Sequence, residues 1–132
     1  MIKVRQAIYQ IMLASTQAEY PLEACGLLAG QDDCVSEIYL IENSLHSPTA
    51  FEMDAGQQLQ AMLDIEVQGM EMLAVYHSHP AGSATPSETD IAQAYYPELA
   101  QLIISLTDRS NPTVRAFTIV NKHVSELELL LE

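Results

Sequence analysis

The chain has 132 residues, 48% apolar and 17% charged, with six prolines and five glycines. That length suits one domain over residues 1–132, and the apolar fraction excludes a disordered, collagen-like or low-complexity chain. Eighteen acidic residues against five Lys plus Arg give a net charge of −13, with no Lys or Arg between Arg5 and Arg109, which excludes nucleic acid and anionic membrane surfaces as partners.

Val4, Ala7, Ile8, Ile11, Met12 and Ser15 recur at helical spacing and predict a helix over residues 2–18. Lys3 and Arg5 before Ala7 to Ser15 have the outline of a signal peptide, but Tyr9 and Gln10 interrupt a run already short for one, so the segment reads as part of the mature fold. Pro21 breaks the helix. Ala24-Cys25-Gly26-Leu27-Leu28-Ala29-Gly30 reads as a buried strand, turning at Gly30 to Asp33 into a hairpin partner, Val35 to Ile41. Asn43 to Thr49 is loop composition, and Ala50 to Met53 is predicted as a short strand. Leu59, Met62, Leu63, Ile65, Glu66 and Met70 predict a helix over residues 55–68, closed by Gly69.

Met72 to Tyr76 is predicted as a central strand running into His77-Ser78-His79-Pro80. A loop from Ala81 to Pro86, a helix opening near Ser87 and the apolar runs Leu102 to Leu106, Val114 to Val120 and Val124 to Leu131 follow, with turns at Asn111-Pro112 and Asn121-Lys122. Helices interspersed among about seven strands place the chain in the α/β or α+β class with a mixed sheet. No run of about 18 apolar residues is present to span a membrane. Cys25 and Cys34 are too few for a disulfide framework, so reduced thiols in a cytoplasmic protein are expected, with Cys25 a small buried hydrophobe. His46 and His123 have no ligand-like spacing around them and read as surface residues.

At the end of a strand, His77 and His79 point their imidazoles to the same face, a grip for a metal, although the pair alone is as compatible with packed or solvated side chains. Pro80 turns the chain out, and Ser87 and Asp90 share a face of the helix that follows. Asp90 could complete the histidines into the three-ligand, one-open-position arrangement of a catalytic zinc site. Ser-x-x-Asp is also the pattern of a capping box, and a carboxylate committed to zinc is not expected to serve as a full capping partner too. Glu23, between Pro21 and a buried strand, is either an ordinary solvent-facing glutamate or the base that takes the proton from attacking water.

Glu23, then His77-Ser78-His79-Pro80, Ser87 and Asp90 together resemble the signature of the JAMM (MPN+) metalloproteases, the JAB1/MPN/Mov34 isopeptidases. The resemblance covers most of the chain, including the Glu-Ala-Cys-Gly-Leu-Leu strand and Phe51-Glu52-Met53-Asp54. It implies a mixed, curved sheet flanked by helices, a cytidine-deaminase-like JAMM/MPN fold. It implies one zinc per chain held by His77, His79 and Asp90, with Glu23 activating water and Ser87 donating to the oxyanion. The chain lacks room for the long insertions with which eukaryotic relatives hold ubiquitin, so it resembles the minimal prokaryotic type. That type implies a ubiquitin-like or sulfur-carrier protein as substrate, cut after its C-terminal Gly-Gly without an acyl-enzyme. Two other readings remain: a non-catalytic scaffold of the same fold, and a metal-dependent hydrolase of small amides.

Overall fold

The computed structural model describes residues 1–132. Eight strands form one sheet, and three helices lie against it. In chain order these are β1 (Ile2–Val4), α1 (Gln6–Glu19), β2 (Cys25–Gln31), β3 (Cys34–Ile41), α2 (Ala55–Val67), β4 (Glu71–His79), α3 (Glu88–Ala92), β5 (Ala100–Ser105), β6 (Thr113–Val120), β7 (His123–Leu127) and β8 (Leu129–Leu131). The spatial order is β7-β6-β5-β4-β2-β3-β1-β8. The sheet is mixed, as the sequence predicts: β4 runs parallel to β5, and β1 runs parallel to both β3 and β8, while the other pairs are antiparallel. Only Glu128 separates β7 from β8, yet they occupy opposite ends of that order, so the sheet curls until its edges almost meet.

Three expectations change. Ile2 to Val4 is a strand rather than the first turn of the helix: the β-branched Ile2 and Val4 face the core while Lys3 pairs with Cys34 and Val4 with Val35. Ala50 to Met53 is not a strand, because Glu52 N–H donates to the Asn43 side chain at 3.1 Å, and the only ladder contact is a bridge between Asn43 and Met53. The last apolar run is divided at Glu128, each part pairing with a different edge of the sheet.

Helix α2 forms over the predicted residues; it turns Ala61 and Ile65 inward and leaves Leu59 (56% exposed) and Leu63 (47%) facing out. Small Ala61 lets the helix sit close on Leu27 and Ile41, and that contact overrides the larger apolar stripe. Its C-terminus ends as predicted, with Gly69 at φ +70° and Met70 N–H donating to Ile65 O at 3.0 Å.

On the other face, Ile8 and Met12 of α1 pack on Leu28, Ala74, Tyr76, Leu102 and Ile104 in a cluster of 13 buried residues. Tyr76 lies flat across β2, where a Cβ on Gly26 would meet its ring at 2.5 Å, so glycine is required there. No helix is long and apolar enough to cross a membrane.

Candidate metal centre

His77 and His79 end β4, where strand parity turns both imidazoles to the face opposite α1, and Pro80 leads the chain away. The start of β2 is tied to this end of β4: Ser78 N–H donates to Ala24 O at 3.0 Å, and Ala24 N–H donates to Ser78 Oγ at 2.8 Å. That clamp brings Glu23 beside the histidines. The loop after Pro80 returns at Ser83, whose carbonyl lies 2.8 Å from His79 Nδ1, and delivers α3 over the same spot.

Three ligand-type atoms converge there. His77 Nε2 and His79 Nε2 are 3.0 Å apart, and each is 3.1 Å from Asp90 Oδ2. The Ser83 carbonyl assigns the proton of a neutral His79 to Nδ1, so its Nε2 presents a lone pair. Lone pairs facing one another at this distance are short of protons to share and fit a cation. Atoms bound to a tetrahedral zinc stand roughly 3.3 Å apart, close to the separations seen. The donor set of two imidazoles and one carboxylate therefore fits zinc and leaves a coordination position open.

Charge distribution agrees with that use. Burial pushes the His77 imidazole below its usual range and outweighs the Asp90 carboxylate, so a side chain only 1% exposed stays neutral. For His79, burial is outweighed by Asp90 and the Ser83 carbonyl, and the pKa is raised. Burial alone would raise Asp90, but the two imidazoles and the Ser87 N–H hold it well below the usual carboxylate range. Glu23 is 5% exposed, and its carboxylate takes no hydrogen bond from the chain. Burial pushes its pKa up to about 7, with His79 pulling it down and Asp90 pushing it up.

Ser87 and Asp90 form the capping box that their spacing allows: Asp90 N–H donates to Ser87 Oγ at 3.0 Å, and Ser87 N–H donates to Asp90 Oδ2 at 2.9 Å. The oxygen that caps, Oδ2, is also the one facing both histidines. Ser87 Oγ acts as an acceptor in the cap, so its hydroxyl proton stays free to be donated.

Two contributors were not singled out as site residues by the sequence: Asn43 lay in a stretch of loop composition and Phe51 in a predicted strand. Asn43 Nδ2 donates to the carbonyls of Glu23 and Ala50, and its Oδ1 accepts from Leu45 and Glu52, fixing the segment beside the site. Phe51 stacks on His77 with ring centroids 4.5 Å apart. Beyond Phe51 a cleft of about 470 Å³ opens, lined by residues that include Leu45, Phe51, Met53, His77, Asp90, Tyr95 and Tyr96. Cys25 is buried, its thiol pushed up to about 12 by burial, while His46 and His123 are exposed, all as expected.

Residues 5–120 match the family model Prok-JAB, prokaryotic homologs of the JAB domain. The CysO-cysteine peptidase of Mycobacterium tuberculosis is 32% identical over 125 residues, covering 93% of this chain and 86% of the relative. A probable TtuB-protein conjugate cleaving protease of Thermus thermophilus is 42% identical over 77 residues, covering 58% of this chain and 51% of the relative. Among solved structures, protein DSY2949 from Desulfitobacterium hafniense superposes with a TM-score of 0.91 at 39% identity, covering 100% of this chain and 93% of that one.

Proposed function

The chain belongs to the Prok-JAB family, the prokaryotic homologues of the JAB domain, and on that premise we propose that it is a zinc peptidase of ubiquitin-like or sulfur-carrier proteins. Its class, a hydrolase of peptide-type bonds, follows from relatives matched across most of its length and named for that activity. The finer reading is cleavage of the amide after a carrier's C-terminal Gly-Gly, in the cytoplasm, by a single domain with one zinc per chain. The observation that carries it is the convergence of His77 Nε2, His79 Nε2 and Asp90 Oδ2 beside a buried, unpartnered Glu23.

His77, His79 and Asp90 hold the metal, which supplies Lewis acidity and lowers the pKa of water. Glu23, poised near pH 7 by its burial, takes the proton of the attacking water and delivers it to the departing nitrogen. Ser87 donates its free hydroxyl proton to the carbonyl oxygen as negative charge builds there. The buried Cys25 thiol, its pKa raised by burial, does not serve as a nucleophile, and with water as the attacking group no acyl-enzyme forms. Phe51 holds the His77 ring in place, and the cleft beyond it receives an extended tail whose glycines let the backbone lie close to the apolar wall.

A carrier protein extended beyond Gly-Gly tests this reading. Zinc-loaded protein is expected to cut after the second glycine, and a chelator to stop it. Cleavage that survives complete zinc removal contradicts the proposal.

A further inference from the structure

The cleft beside the metal ligands is floored by β4. His77 and Val75 stand two apart on one face of that strand and both line it, so the floor extends about 7 Å from the metal ligands. Its character changes over that distance. At His77 it is polar, with Asp90 Oδ2 3.1 Å from the imidazole. At Val75 it is apolar, because Val75 and Met53 pack on the same buried cluster of Leu27, Ile41 and Ala61 while both stay part-exposed. Gln101 of β5, which pairs with Val75, also lines the cleft, as do Tyr95 and Tyr96 just before that strand. These two rings are 76% and 49% exposed, large apolar surfaces left standing in solvent at the edge of an apolar floor.

Two glycines do not account for such a cleft. Its volume of about 470 Å³ lies in the range of pockets that hold drug-sized molecules, far more than a Gly-Gly backbone without side chains fills. An extended chain advances about 3.3 Å per residue, so with the last glycine over His77 the residue before Gly-Gly lies two steps back. That is the step separating His77 from Val75. In an extended chain this residue also shares a face with the last glycine, whose missing side chain lets the backbone approach the floor. Its own side chain is therefore delivered to Val75 and Met53. Glu52 and Asp90 are the carboxylates lining the cleft, and no Lys or Arg lines it.

Resting on the reading of the cleft as the tail's site, we propose that its Val75 end is a specificity pocket for the residue immediately before Gly-Gly, selecting a bulky apolar side chain such as Leu. Met53 and Tyr95 are the determining residues, one in the floor and one closing over the side chain. The glycines give access to the metal, and the residue before them gives the discrimination between carriers. An Asp there meets two carboxylates and no cation, and a Lys must carry its ammonium across Val75 and Met53.

The test uses the zinc-loaded full chain and four peptides ending Leu-Gly-Gly, Ala-Gly-Gly, Lys-Gly-Gly and Asp-Gly-Gly. Each is titrated as the free acid to measure binding, and each is extended by one Ala to measure hydrolysis. Wild type is expected to favour Leu over Ala by about 10-fold in Kd and in kcat/KM, the latter mostly through KM, with Lys below Leu and Asp weakest. The Val75 methyl resonances should shift more with the Leu peptide than with the Ala peptide. Tyr95→Ala, at a side chain too exposed to carry the fold, should bring the Leu-to-Ala ratio below about 3, and Met53→Ala should do the same. Equal binding of Leu and Ala, preference for Lys or Asp, or a ratio unchanged in both variants overturns the inference and leaves the peptidase reading standing. Preference for Leu in binding with no peptide cut overturns the peptidase reading and leaves the pocket standing; no binding and no cleavage overturns both.

Discussion

The face of the sheet under α1 is closed by 13 buried residues, whereas the face under α2 buries Leu27, Ile41 and Ala61 and then opens into the cleft beside the metal ligands. The closed face is mainly apolar, and its polar groups are satisfied locally: Tyr76 OH lies 3.2 Å from Ser15 Oγ, and Thr16 Oγ1 donates to Leu13 O at 2.7 Å. The open face carries the buried polar groups His77 and Glu23: His77 Nδ1 is buried without a partner, and the Glu23 carboxylate takes no hydrogen bond from the chain. Burying such groups costs stability, so one face must supply enough for both. The difference teaches that this small domain divides its labour by face, with packing under α1 and chemistry under α2.

The largest effect that would sharpen this division is on turnover. Glu23→Gln removes the base and leaves the metal ligands, so kcat should fall by about 10³-fold while zinc stays bound, measured by steady-state hydrolysis beside elemental analysis. Full turnover in that variant would break the assignment. On the closed face, Met12→Ala opens a cavity in the α1 core and should lower unfolding free energy by about 3 kcal/mol, read from urea denaturation. Turnover per folded molecule should not change, because Met12 touches nothing on the site face; a parallel loss of kcat would mean that the two faces are coupled.

A smaller effect concerns pH in the metal-free protein. Glu23 has a folded-state pKa of about 7, raised from 4.5, so below 4.5 it is protonated in both states and costs nothing. As pH rises toward 7 the unfolded chain releases this proton and the folded one retains it, so stability falls and then levels off above 7. Glu23→Gln should therefore match wild type near pH 4 and exceed it near pH 8 by about 1–3 kcal/mol, compared by thermal melts with chelator present. Equal melts at both pH values would mean that the carboxylate is solvated after all.

Most of the metal centre was legible because it follows from local geometry. Strand parity puts His77 and His79 on one face whatever the rest of the fold does, and a helix opening at Ser87 places Asp90 in its first turn. What sequence could not reveal depends on distant partners. Asn43 looks like any loop asparagine until the chain brings Glu23, Ala50 and Glu52 around it. Ile2 and Val4 read as helix because their strand partners lie at the other end of the chain, among Leu129 to Leu131. The packing face of α2 was not legible either, because Ala61 packs by being small, a property that periodicity of large apolar residues does not register.

The central claim, that His77, His79 and Asp90 form one zinc site served by Glu23, is tested most directly by elemental analysis of purified wild type beside Asp90→Ala and Glu23→Gln. The account predicts about one zinc per chain in wild type and in Glu23→Gln, and little in Asp90→Ala. Zinc retained in Asp90→Ala, or absent from wild type after incubation with the metal, would contradict it.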